Sequence, residues 1–134
     1  KDFTMYQENV MIPIGDWADK RLSKLSDDDK KRIESAAGSG FGKNVSKWVG
    51  RDKVYPTNVL YMATECENKK HSAVFPVSLP EWFIKLFTKE HDFVLDPFAG
   101  SGTTAVASKI LNRNYLMIDT MDTYKNIAQE RLMK

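Results

Sequence analysis

The chain has one cysteine, Cys66, and a single thiol cannot close an intramolecular disulfide. That fits a reducing, intracellular compartment. Cys66 lies in the polar run "ATECENKK" with no metal-ligand spacing around it, and it reads as incidental rather than as a nucleophile. No stretch approaches the roughly 20 apolar residues that a membrane-spanning helix needs. The opening "KDFTMYQENVM" mixes charges with apolar residues, unlike a secretory signal. Charge of one sign is scarce too: 20 Lys+Arg against 18 Asp+Glu leave a net +2, so the totals alone make no case for a polyanionic partner. At 134 residues this is one domain's worth of chain. It begins with Lys1 rather than Met, as a processed, truncated or partial piece of something longer would.

What is present divides into two halves. Residues 1–70 are irregular, with a helix expected from Asp27 to Ala37, where Ser26 serves as N-cap and three aspartates complement the first turn. "VYPTNVLYMA" is strand-like, with Pro56 favouring an edge or a loop entry. Between Ser39 and Tyr55, Lys43, Lys47, Arg51 and Lys53 face one acid, Asp52, in a glycine-broken stretch. A solvated loop is the plain account of that local excess.

Residues 71–134 are regular. "LPEWFIKLFTKE" is a helix with Pro80 near its first turn, and Trp82, Phe83, Leu86 and Phe87 form its apolar face, with core packing the expectation for Trp82 and Phe83. "DFVLD" is a short strand, Thr103 to Leu111 a helix, "NYLMID" a second strand and Thr123 to Met133 a final helix. Such alternation means βαβ units in a parallel sheet with flanking helices, an α/β fold. Ligands of these sheets bind at the carboxyl ends of the strands, where Asp96 and Asp119 both fall.

Between the first strand and its helix lies "DPFAGSGTT", residues 96–104, and the ligand of this glycine turn is the central question. A GxxxxGK[ST] phosphate loop is excluded, because no lysine follows the second glycine. The dinucleotide fingerprint is incomplete, because positions 105 and 107 are alanines where a third glycine belongs. Asp96 ahead of the turn repels a pyrophosphate and suits an ammonium or sulfonium. Asp119 follows 23 residues later, the distance at which an acid commonly accepts from two ribose hydroxyls. A cation near one acid and a ribose near the other describe S-adenosylmethionine. A helix-capping role for Asp96 and a turn role for Asp119 form the structural alternative.

"HSAVFPVSLPEWFIKLF", "DFVLDPFAGSGTT" and "NRNYLMID" together resemble the amino-methylating DNA methyltransferases of the β arrangement, the N4-cytosine and N6-adenine enzymes of restriction-modification systems. The resemblance covers residues 71–134, and "GFGKNVSKWVGRDKVYPTNVLYMATE" more loosely resembles the lead-in segment of N4-cytosine members. It implies a Rossmann-like S-adenosylmethionine-dependent methyltransferase fold, present in part and preceded by a recognition segment in residues 1–70. It implies a methyl-donor pocket made by Phe75, Pro76, Asp96, Pro97, Phe98, Ala99, Gly100, Ser101, Gly102, Thr103, Thr104 and Asp119. Asp96 would lie near the donor's amino group and Asp119 at its ribose. Met117 departs from the glycine the family often has there. Lys43, Lys47, Arg51 and Lys53 would contact the phosphates of double-stranded DNA, against ordinary solvation of the same side chains.

Methylating an exocyclic amine needs acceptors that hold the NH₂, which the family supplies through an (S/D/N)PP(Y/F) motif whose aromatic stacks on a flipped base. Here the only Asp-Pro is Asp96-Pro97 and no Pro-Pro occurs. In the β arrangement that motif precedes the recognition segment. The resemblance therefore implies the cofactor-binding portion of a cytoplasmic prokaryotic enzyme, N4 of cytosine favoured over N6 of adenine, inactive without its catalytic half or a complementary subunit. A non-catalytic cofactor- or DNA-binding subunit is the nearest alternative, and a nucleotide oxidoreductase a more distant one.

Overall fold

The computed structural model describes residues 3–27, 48–64 and 75–133. The expected helix from Asp27 to Ala37 falls almost wholly outside them, as do Lys43, Lys47 and Cys66. The chain divides into two compact units, one of Met11–Pro56 and one of Lys1–Val10 with Thr57–Lys134.

In the Met11–Pro56 unit, β1 (Ile12–Pro13) pairs antiparallel with β2 (Lys53–Val54), in the register Ile12↔Val54 and Pro13↔Lys53. A bond from Ile14 N–H to the Asp52 carbonyl extends the ribbon. Helix α1 (Asp16–Leu22) follows β1 and buries Ala18. The strand expected over "VYPTNVLYMA" is confined to its first residue, because Pro56 has no N–H to continue a ladder.

The other unit contains the regular half. A 3₁₀ turn (Gln7–Val10) precedes in sequence α2 (Ser78–Phe87), β3 (Phe93–Asp96), α3 (Thr103–Ile110), β4 (Asn114–Met117) and α4 (Asp122–Leu132). Strands β3 and β4 are parallel, in register from Phe93↔Asn114 to Asp96↔Met117, and α3 is their crossover. Helix α3 stops where the sequence supplies a C-terminal signal: Asn112 takes φ 57°, its N–H bonds to the Lys109 carbonyl, and Arg113 N–H returns to the Ser108 carbonyl. Arg113 also ties the turn to the end of α2, through Nε to Thr88 Oγ1 (3.0 Å) and Nη2 to the Thr88 carbonyl (2.8 Å).

Helix α3 packs against α2, β4 and α4. Its buried positions are small, Thr103, Ala105, Ala107 and Ser108, which lets its neighbours approach closely. Helix α2 buries Pro80, Ile84 and Leu86, and burying Ile84 or Leu86 contributes about 1.5–3 kcal/mol each. Phe83, expected in the core, remains 46% exposed, and Phe87 is 43% exposed. They line an apolar cavity of about 470 Å³ with Phe75, Leu79, Phe93 and Thr104.

The two faces of the β3–β4 sheet differ. Val94, Asp96, Tyr115 and Met117 are half-buried on one face. On the other, Phe93 (67%), Leu95 (60%), Leu116 (51%) and Ile118 (50%) are exposed. Parallel sheets are ordinarily apolar because both faces are covered. Among the described residues each of these strands pairs along one edge only.

Candidate functional site

The site forms where β3 and β4 end. Leaving β3, the chain turns at Asp96, whose Oδ1 accepts the Phe98 N–H (3.0 Å) and whose Oδ2 accepts the Thr104 hydroxyl (2.7 Å). One carboxylate thus spans the loop from its entry to the first turn of α3. Leaving β4, Asp119 makes the matching arrangement: Oδ1 accepts the Met121 N–H (2.9 Å), and Oδ2 accepts the Gly100 N–H across the sheet end (2.8 Å). The Ala99 N–H donates to the Ile118 carbonyl at 2.9 Å, so the loop is sewn to the end of β4 at two successive residues.

The glycines make this path possible. Gly100 has φ 50° and Gly102 φ 77°, both in the left-handed region. Gly102 also meets the last helix, since a Cβ built on it would lie 2.6 Å from the Ala128 Cβ. The close helix approach that dinucleotide folds obtain from a third glycine is made here by Gly102 against α4. Gly102 is the N-cap of α3 and supplies no side-chain oxygen to it.

Around Gly100 and Asp119 lies a cavity of about 590 Å³, whose lining includes Ala99, Ile118, Met121, Lys125 and Gln129. Its volume is that of a small-molecule site. Each Asp96 oxygen accepts one protein donor, and a carboxylate oxygen has a second lone pair to offer a ligand N–H or O–H. Phe98 is 88% exposed at the loop's tip. Ser101 and Thr103 are buried, turned toward Arg131.

The expected pocket residues divide accordingly. Residues 96–104 and Asp119 come together at the strand ends. Phe75 and Thr104 both line the apolar cavity, and Pro76 follows Phe75 ahead of α2. Arg51 and Lys53 are exposed in the Met11–Pro56 unit, with Lys53 on β2. Ala128, Lys125 and Arg131 went unnoticed in the sequence, although Ala128 and Arg131 are three apart and share one helix face. Among the described residues no helix is long and apolar enough to cross a membrane.

A family model described as DNA methylase matches residues 11–130. The chain is 36% identical over 104 residues to type II methyltransferase M2.DpnII of Streptococcus pneumoniae, covering 78% of this chain and 32% of that protein. It is 36% identical over 102 residues to type II methyltransferase M.HindIII of Haemophilus influenzae, covering 75% and 33%. The chain thus spans about a third of the length of these curated relatives. Among solved structures it is similar to a PvuII cytosine-N4-specific DNA methyltransferase, with TM-score 0.55, 25% identity and coverage of 67% of this chain and 35% of that one. It is also similar to an M1.HpyAVI–SAM complex, with TM-score 0.51, 36% identity and coverage of 62% and 41%.

Proposed function

Because this chain belongs to the DNA methylase family, we propose that it is the cofactor-binding portion of a restriction-modification DNA methyltransferase that moves a methyl group from S-adenosylmethionine to an exocyclic amine. N4 of cytosine is favoured over N6 of adenine, in keeping with the cytosine-N4-specific structural neighbour and the soft likeness of residues 41–65 to N4-cytosine members. The observation that carries the proposal is the frame of two strand-end acids around one glycine loop, with Asp119 bonded to the Gly100 N–H at 2.8 Å.

The residues fit the group. Asp96 would face the donor's ammonium and Asp119 its ribose hydroxyls, and each stands at a strand end bonded to the glycine loop. Phe75 to Pro76, the run from Asp96 to Thr104, and Asp119 would hold the cofactor. Bound there, it supplies an electrophilic methyl on a sulfonium. This chain's own residues bind and orient; Asp96 and Asp119 place negative charge beside a cationic ligand and do not themselves take the amine's proton. Cys66 has no role.

We assign residues 1–70 to part of the target-recognition region and residues 71–134 to the cofactor portion. Lys43, Lys47, Arg51 and Lys53 would neutralise phosphates of double-stranded DNA. The acceptors for the reacting amine would come from a catalytic half or complementary subunit, since no (S/D/N)PP(Y/F) run occurs in these 134 residues. The bare sheet face of Phe93, Leu95, Leu116 and Ile118 supports such a companion, because it is the surface a further layer would cover. A non-catalytic cofactor- or DNA-binding subunit is the second reading, favoured by the same missing motif.

Calorimetric titration of the full-length protein with S-adenosylmethionine and, separately, with NAD tests the proposal. Binding of the first alone, followed by methyl transfer to duplex DNA, is the expected result. Binding without transfer would shift the assignment to the non-catalytic subunit, and binding of neither would refute the site.

A further inference from the structure

The last helix reaches the glycine loop through a side chain that the proposed function leaves unused. Arg131 Nη1 donates to the Ser101 carbonyl (2.8 Å), the Ser101 hydroxyl oxygen (2.9 Å) and the Thr103 hydroxyl oxygen (3.0 Å). That nitrogen carries two hydrogens, so at least one is shared between acceptors. Ser101 and Thr103 are only 6% and 3% exposed, so water does not replace the guanidinium as donor to them. Charge-assisted bonds of this kind are roughly twice as strong as neutral ones.

On that side the loop also meets Ala128, through Gly102. Within it Gly102 N–H bonds to the Ala99 carbonyl (2.8 Å) and Asp96 accepts from Phe98 and Thr104, while two of its residues are glycines, which lose more freedom on ordering than any other residue. Asp119 holds Gly100 from the β4 side, and Arg131 holds Ser101 and Thr103 from the α4 side. The docking of α4 has further supports, in Ala128 against Gly102 and in a bond from Lys109 Nζ to the Leu132 carbonyl. Removing the guanidinium therefore loosens the loop more than it undocks the helix. A loop that must be ordered by its ligand binds that ligand less tightly than one ordered beforehand.

We propose that Arg131 is a positioning residue for the cofactor loop: acting from α4, it fixes Ser101 and Thr103 and so raises affinity for the methyl donor without touching it. This rests on the cofactor reading given above.

The test is calorimetric titration of the full-length protein with S-adenosylmethionine, comparing the unaltered chain with Arg131→Met, which keeps most of the stem and removes every donor, and with Arg131→Lys. The dissociation constant is expected to rise about tenfold in Arg131→Met, a change of ~1.4 kcal/mol, and by less in Arg131→Lys. The KM for the donor should rise in step while kcat at saturating donor stays within about twofold. A purely structural role would instead lower the melting temperature and the binding-competent fraction at an unchanged dissociation constant, and that result overturns the proposal. If Arg131→Met does not fold, Arg131→Lys decides: weakened binding supports the role and an unchanged constant refutes it. Failure of the unaltered protein to bind overturns the cofactor reading, and this inference with it.

Discussion

Gly50 and Gly102 have almost the same φ, +78° and +77°, in different units of the molecule. Around Gly50, in the turn between Trp48 and Arg51, a Cβ would meet nothing within 4 Å. Around Gly102 it would meet Ala128 at 2.6 Å. Conformation alone requires glycine at the first position, while conformation and packing both require it at the second. The difference separates a turn that only has to bend from a loop that has to bend and be clamped by a neighbouring helix.

Gly102→Ala breaks the clamped side of that comparison and should have the largest effect. Left-handed backbone costs about 1–2 kcal/mol for a residue with a Cβ, and overpacking against Ala128 adds about 1–3 kcal/mol. A denaturant midpoint measurement should therefore show a loss well beyond that of Gly50→Ala, for which only the first term applies. Equal losses at the two positions would show that α4 moves aside at little cost.

Asp96→Ala and Asp119→Ala come next. Each deletes a carboxylate that accepts two protein donors, so each should lower stability by about 1–3 kcal/mol. Both should also weaken S-adenosylmethionine binding in titration, and unchanged affinity in both variants would remove the pair from the site. Gly50→Ala follows, at about 1–2 kcal/mol in the same unfolding assay. The smallest effect on folding belongs to the paired change Arg51→Ala with Lys53→Ala, within about 0.5 kcal/mol. If both side chains meet phosphates, the slope of DNA affinity against salt should flatten by about 2. An unaltered slope would leave them as solvated surface.

The alternation of helix and strand across residues 78–132 was legible in the sequence because each element carries its own signal: apolar spacing in α2, the short apolar run of β3, and the glycine turn into α3. The two strand-end acids were legible from their places around that turn. Their partners were not. That Asp119 would accept from Gly100 depends on the parallel register of β3 and β4, which no local pattern encodes. Helix α1 and strand β1 escaped notice because seven residues and a two-residue strand are too short to show a period. Phe83 was expected in the core because apolar spacing names the face a helix presents, not whether a neighbour covers it. Arg131 was hidden for another reason. It stands in the polar run "AQERL", where a cation reads as solvated surface unless the helix's neighbour is known.

The β3–α3–β4 crossover has a kinetic consequence as well. Its parallel strands are joined through one short helix, and the Schellman-type stop at Asn112 turns the chain directly into β4. Contacts between segments this close in sequence carry a small loop-closure penalty, and low contact order favours rapid formation. The glycine loop lies inside that local unit, so it should acquire its bend among the early events of folding. The Met11–Pro56 unit instead pairs Ile12 with Val54 across a far longer intervening chain, and its ribbon should close late. In pulse-labelled hydrogen exchange, the amides of Asn114 and Ile118 should therefore gain protection before that of Ile14.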